Sequence, residues 1–309
     1  MARMRIAVVG AGGVGGYFGG RLASAGADVS FLARRTHLAA LQTRGLTIQS
    51  PKGDVHIARV TATDDPAAIG PVDVVLFTVK LYDIAAATAL LPPLLGADTA
   101  VIPLQNGVDS VDIVRRAVGP SHAAGGTCYV SAVIAQPGVI RHTAMDHLIF
   151  GELDGTLSPR LQRLLEACQR AQFQSTLSAD ITVDIWTKFT RLSVFSGMTA
   201  VTRCPIGVIV RDKELFDMLK AAVGETLAVA HAKGIPVPSD IAADVARAYT
   251  ALPPHAKASM LEDLERGRRL ELPWLSGAVV RIGRELGVST PIHSFIATVL
   301  KPHVNGTPD

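Results

Sequence analysis

Short apolar, β-branched runs punctuate the first half of the chain: RIAVV (5–9), DVSFL (28–32), VDVVLFTV (72–79), TAVIPL (99–104), VIRHT (139–143) and HLIFG (147–151). Glycine turns and helical stretches separate them, and strands interleaved with helices predict a parallel sheet with crossover connections. Beyond about residue 155 the period lengthens. LSPRLQRLLEACQRA (157–171), KELFDMLKAAVGETLAVAHAKG (213–234), SDIAADVARAYTAL (239–252) and LSGAVVRIGRELG (275–287) repeat apolar positions at helical spacing, each bounded by Gly, Pro or Ser. The pattern predicts an α/β domain over residues 1–178 and an all-helical domain over 179–309.

Within the helical half, IWTKFTRLSVFSGMTA (185–200) reads as a helix with little polar surface, yet Lys188 stands near its start. Burying an ammonium is costly unless a partner answers it. A desolvated lysine is also drawn toward proton exchange, so the position suits a catalytic acid; the alternative is a lysine that snorkels to water.

The 309 residues are enough for two domains with real cores, and 48% hydrophobic with 18% charged residues describes a globular chain. Thirty basic residues stand against 27 acidic ones, with 5% aromatics, which gives no basic, aromatic-rich surface for nucleic acid. Cys128, Cys168 and Cys204 are odd in number and far apart, and the nine histidines form no HExxH pair. Neither a disulfide framework nor a metal site is expected, and a reducing cytoplasm fits. The N-terminal apolar run stops at Gly10, too soon for a signal peptide, and Lys80, Asp83 and Pro92 interrupt the most apolar region, so no membrane span is expected.

RIAVVGAGGVGGYFGGRLASAG places an apolar strand, then Gly10, Gly12 and Gly15 as GxGxxG with Gly13 and Val14 between them, then a helix rich in small residues. In that context Gly10 permits the tight turn, Gly12 lets backbone approach a pyrophosphate, and Gly15 lets helix meet strand, while helix N-terminal amides face the phosphates. The second strand ends in ARR. Where an NAD enzyme commonly places an acid for the ribose 2′-hydroxyl, Arg34 and Arg35 offer donors for a 2′-phosphate, which favours NADP(H), with Arg34 the first candidate; two solvated loop arginines are the alternative. Lys80 after VVLFTV, and Gln105, Asn106 and Gly107 after VIPL, fall at carboxyl ends of strands, the edge where such sheets bind ligands; an ordinary strand-ending charge and a plain Asn-Gly turn are the alternatives.

With GAGGVG, TVK, QNG, WTK and ASMLEDLERGRRLELPWLSGAVVRIGRELGVSTP in this order, the chain resembles the ketopantoate reductase (2-dehydropantoate 2-reductase) family over nearly its full length. The resemblance implies an N-terminal Rossmann domain, a helical C-terminal domain and NADPH-dependent reduction of a small-molecule 2-oxo acid; a homodimer is compatible with it. By position it makes Lys188 the proton donor, Asn106 a residue near nicotinamide and substrate, and Lys80 an active-site cation at the cofactor. Ser259 matches a substrate-binding serine, and Glu271, twelve residues later, an acidic partner for substrate and lysine. An N-cap and a solvated charge are the alternatives for Ser259 and Glu271.

Two departures bear on the substrate. Four and eight residues beyond the lysine, where the family presents asparagines, stand Leu192 and Ser196, and Pro273 and Ser276 replace a common acid and asparagine. Such a pocket should accept a less polar 2-oxo acid, because buried substrate hydroxyls would go unmatched. Reduction of 2-dehydropantoate to pantoate, a step of pantothenate biosynthesis, remains the leading expectation. Oxidation of a 2-hydroxy acid and a non-catalytic NADP(H)-binding sensor are the rivals. Arg191, three residues from Lys188 and at a neighbouring angle of the helix, is a further candidate for the substrate carboxylate, beside Ser259 and the amide of Asn106.

Overall fold

The computed structural model describes residues 3–308; Met1, Ala2 and Asp309 lie outside it. The chain forms two compact units, one of Met1–Gln105 with Asp109–Ile181, the other of Asn106–Val108 with Thr182–Asp309.

The first unit runs β1 (Arg5–Val9), α1 (Gly13–Ser24), β2 (Asp28–Leu32), α2 (Arg35–Arg44), β3 (Leu46–Gln49), β4 (Val55–Ile57), β5 (Thr61–Thr63), β6 (Val72–Phe77), α3 (Ile84–Ala87), β7 (Leu95–Pro103), α4 (Ser110–Val118), β8 (Ala124–Gln136), β9 (Val139–Glu152), α5 (Pro159–Arg170) and β10 (Gln174–Leu177). One sheet is parallel throughout, in the order β5-β2-β1-β6-β7. The strand order reverses between β1 and β6, which puts the glycine loop after β1 at the switch point where Rossmann sheets bind dinucleotides.

A second sheet, β10-β9-β3-β4 with β8 paired to β9, departs from the purely parallel expectation. β8 and β9 form a long antiparallel pair, and VIRHT with HLIFG proves to be one strand, not two. The break in the pattern is a bulge around Ala144 and Met145, where Met145 takes φ +57.

Helix α1 touches both sheets, and its small residues make that contact close. A Cβ on Gly15 would lie 2.7 Å from Val8 and one on Gly19 2.6 Å from Val8, both in the parallel sheet. On the other side a Cβ on Gly16 would lie 2.7 Å from Ile140, and one on Gly20 2.6 Å from Ile48. In GVGGYFGG the space left by Gly15, Gly16, Gly19 and Gly20 is thus filled by side chains of the two sheets.

The second unit is helical: α6 (Ile181–Thr202), α7 (Ile206–Arg211), α8 (Lys213–Ala232), α9 (Ile241–Ala251), α10 (Ser259–Glu265), α11 (Ser276–Leu286) and α12 (Pro291–Leu300). Its core gathers Trp186, Phe189 and Met198 of α6 with Leu219 and Val223 of α8, Val279 and Ile282 of α11, and Ile296 of α12. Helix α12 begins at Pro291 without a capping side chain of its own. Glu225 of α8 supplies the cap from outside, accepting from the amides of Ile292 (2.8 Å) and His293 (3.0 Å). Among the described residues no helix is long and apolar enough to cross a membrane.

Candidate active site

In the first unit the glycine loop is held by its strands. Gly10 takes φ +101, and a Cβ there would lie 2.9 Å from the amide nitrogen of Val79, so only glycine fits the turn. The Thr78 hydroxyl donates to the Gly10 carbonyl (2.6 Å), and the amides of Gly10 and Ala11 both donate to Leu32 O (3.2 Å each). Gly13 leaves no room for a side chain, since a Cβ would sit 2.0 Å from the carbonyl oxygen of Ala132 on β8. Gly12, the N-cap of α1, differs: nothing lies within 4 Å of where its Cβ would be. Open space before Gly12, with Val14 and Gly15 following in the first turn of a twelve-residue helix that no side chain caps, suits a pyrophosphate.

Past β2, Ala33 is buried and Arg34 and Arg35 are exposed, with no carboxylate at the strand end. Arg34 is the N-cap of α2, in an extended conformation, and Arg35 follows at φ +53. β6 stops at Phe77, so Lys80 sits three residues beyond the strand, exposed, at the start of a short turn closed by a hydrogen bond from the Asp83 amide to its carbonyl (2.9 Å). Gln105 shapes the same edge: its Nε2 donates to Phe77 O (2.9 Å) and Val79 O (3.1 Å), which fixes the amide's orientation and the path toward Lys80.

Three residues distant in sequence meet in the second unit. Lys188, on the second turn of α6, is 9% exposed, and Glu271, just before a short turn at Leu272–Trp274, is 7% exposed. Asn106 joins them: Lys188 Nζ donates to Asn106 Oδ1 (3.1 Å), and Asn106 Nδ2 donates to Glu271 Oε2 (3.1 Å). The ammonium can only donate and the carboxylate can only accept, so the asparagine amide has one orientation. The buried lysine thus has the answer its burial demands. Gly107, next in the chain, takes φ +86 with its missing Cβ 2.7 Å from the Trp274 carbonyl oxygen, so the QNG turn seats itself directly on the Glu271 segment.

Leu192 stands one turn along α6 from Lys188 and is partly buried. Ser196, one turn further, is 1% exposed, with its hydroxyl enclosed and without a partner, as is the hydroxyl of Ser276 at the start of α11. Ser259 opens α10 as its first residue; it is exposed, and Ala258 holds the N-cap position. Thr78, the clamping role of Gln105, and Tyr249, whose hydroxyl donates to the carbonyl of Arg191, are features the sequence reading did not single out. Threonine after an apolar strand is the only local hint for the first.

The ketopantoate reductase PanE/ApbA model matches residues 6–155, and the model for the C-terminal part of ketopantoate reductase PanE/ApbA matches residues 180–304. A 2-dehydropantoate 2-reductase of Mesorhizobium japonicum is 31% identical over 318 residues, covering 96% of this chain and 97% of its own. YkpB of Bacillus subtilis, an uncharacterized oxidoreductase, is 30% identical over 290 residues, covering 94% and 95%. The crystal structure of a PanE/ApbA family ketopantoate reductase from Ralstonia eutropha aligns with a TM-score of 0.89 at 30% identity, over 97% of this chain and 98% of that one. Glycine loop, helical second unit and full-length similarity agree: the chain belongs to the ketopantoate reductase family, dinucleotide-binding oxidoreductases of the 2-dehydropantoate 2-reductase kind.

Proposed function

We propose that the protein reduces a 2-oxo acid to the 2-hydroxy acid with NADPH, with 2-dehydropantoate as substrate and Lys188 as general acid. The observation that carries this reading is the Lys188–Asn106–Glu271 arrangement, a buried ammonium held by an amide whose other end is held by a carboxylate. Bound NADPH supplies the hydride. Lys188 stabilises the charge growing on the ketone oxygen and gives that oxygen its proton. Asn106 keeps the ammonium in position, and Glu271 holds the other end of that amide. Ser259, exposed at the head of α10, is a donor for the substrate. In the first unit Gly10, Gly12, Gly13, Val14 and Gly15 shape the pyrophosphate site, Lys80 lies at the same edge of the sheet, and Arg34 takes the 2′-phosphate that separates NADPH from NADH.

Replacing Lys188 by alanine should leave NADPH affinity close to that of the parent and lower turnover of 2-dehydropantoate on the order of 10²–10⁴-fold, the usual share of a positioned proton donor. Absorbance of NADPH reports turnover and a fluorescence titration reports affinity; unchanged turnover would remove Lys188 from the chemistry. A second reading has a specific observation behind it. Leu192 replaces an amide one turn from Lys188 and the Ser196 hydroxyl is enclosed, which favours an acid with an apolar side chain. Rates on branched and aromatic 2-oxo acids exceeding those on 2-dehydropantoate would establish it.

A further inference from the structure

Arg191 is a partly buried cation with no protein partner. Among the described residues no carboxylate pairs with its guanidinium, and its Nε is enclosed without a hydrogen bond. Elsewhere this chain answers such a group fully. Arg160, 16% exposed, meets both oxygens of Glu152 at 2.7 Å and also donates to Ser121 O at 2.7 Å. The Nε of Arg191 is withdrawn from water without a partner, and an unanswered buried donor is costly. The backbone that carries it is held: the Tyr249 hydroxyl donates to the Arg191 carbonyl, and the Tyr249 ring stacks on Phe195 with centroids 5.6 Å apart and planes at 28°.

Helical geometry relates this cation to Lys188. Residues three and four apart on a helix share a face, with Cβ atoms about 5–6 Å apart. Lys188, Arg191, Leu192 and Phe195 therefore form one face of α6, two cations beside two apolar side chains. In a 2-oxo acid the carboxylate is bonded directly to the ketone carbon, so a donor for it must lie beside the donor for the ketone oxygen. The guanidinium fork matches a carboxylate with two parallel hydrogen bonds.

We infer that Arg191 is the counter-charge for the substrate's C1 carboxylate, which orients the ketone oxygen toward Lys188. This inference rests on the reductase reading above, and it is tested by an acid and a neutral ketone together. For 2-dehydropantoate, Arg191→Gln should lower kcat/KM on the order of 10–100-fold, the effect of losing a hydrogen-bonded charge partner. For the uncharged 2-dehydropantoyl lactone, which offers no carboxylate for the guanidinium to answer, the change should be below about threefold. Arg191→Lys, which retains the charge without the fork, should fall between. The Tyr249 bond goes to the backbone, so it survives these substitutions.

Calorimetric titration of 2-dehydropantoate into the full chain with NADP⁺ separates the two readings, because no turnover is needed. Binding by the parent that weakens by the same factor in Arg191→Gln supports the anchor, and if the parent binds the acid without reducing it, the reductase reading falls while the anchor stands. Equal loss on acid and lactone, equal affinity of parent and Arg191→Gln for the acid, or no binding of the acid by the parent would overturn the assignment.

Discussion

His293 should make the helical unit sensitive to acid. The ring is fully buried at the start of α12, with Nε2 2.9 Å from Thr226 Oγ1 and 3.1 Å from the Ala222 carbonyl on α8. A carbonyl can only accept, so Nε2 carries the hydrogen and Nδ1 is the bare nitrogen, enclosed without a partner. A second proton on Nδ1 would create a buried, unanswered cation. Glu225 spends both oxygens on backbone amides of α12, not on the ring. Burial therefore lowers the His293 pKa from the ordinary 6.5 to about 4, against a smaller upward pull from the Ala222 carbonyl. A depressed pKa means that the unfolded chain takes up the proton first, so stability is full above about pH 6.5 and falls as the pH drops toward 4. At about 1.4 kcal/mol per unit the full loss is about 3 kcal/mol, of which about 2 kcal/mol is gone by about pH 5. Both tryptophans, Trp186 and Trp274, lie in the second unit, so urea unfolding followed by tryptophan fluorescence reads that unit. His293→Gln keeps a donor for Ala222 and cannot titrate, so its stability should change less between about pH 7 and pH 5, by about 2 kcal/mol. Parallel losses in parent and variant would refute the argument.

Arg34→Ala should weaken NADPH binding about 10–100-fold and leave NADH nearly unchanged, the loss of charge-assisted bonds to one phosphate; equal loss for both cofactors in a fluorescence titration would undo the 2′-phosphate assignment. Glu225→Ala removes the external cap of α12 and should cost about 2 kcal/mol in urea unfolding at neutral pH, while a cost within experimental error would show that water replaces the carboxylate freely.

What could be read from the sequence was local. The glycine loop needs only its strand before and its helix after, and the helices after residue 180 carry their period in themselves. The second sheet was hidden by its own construction. β3, β4 and β10 are three or four residues long, and β3 finds its parallel partner β9 about ninety residues away. β8 contains Gly125 and Gly126, which signal a turn in isolation. They lie in a strand because other residues occupy their side-chain space: a Cβ on Gly125 would meet Ile181 at 2.7 Å, and one on Gly126 would meet Ile102 at 2.4 Å. The Met145 bulge then split β9 into two apparent strands.

The site shows the same division between local signal and long-range arrangement. A cation among Trp186, Phe189 and Leu192 is an anomaly by composition alone, and Lys188 is buried there at 9% exposure. Its resolution was illegible, because Asn106 and Glu271 stand 165 residues apart and nothing local says that one amide will lie between them. The chemistry of that amide explains why the position suits asparagine. Its oxygen faces a group that can only donate and its nitrogen a group that can only accept, so one side chain with opposite poles contacts both buried charges. An aspartate would repel Glu271 and a leucine would leave both charges without this contact. Gly107 completes the requirement: only a residue without a Cβ, at positive φ, lets the turn approach the Trp274 carbonyl closely enough for Asn106 to reach Glu271. Asn-Gly is a common turn signal, and here the turn and the site are the same feature, since the conformation that favours the glycine is what delivers the asparagine.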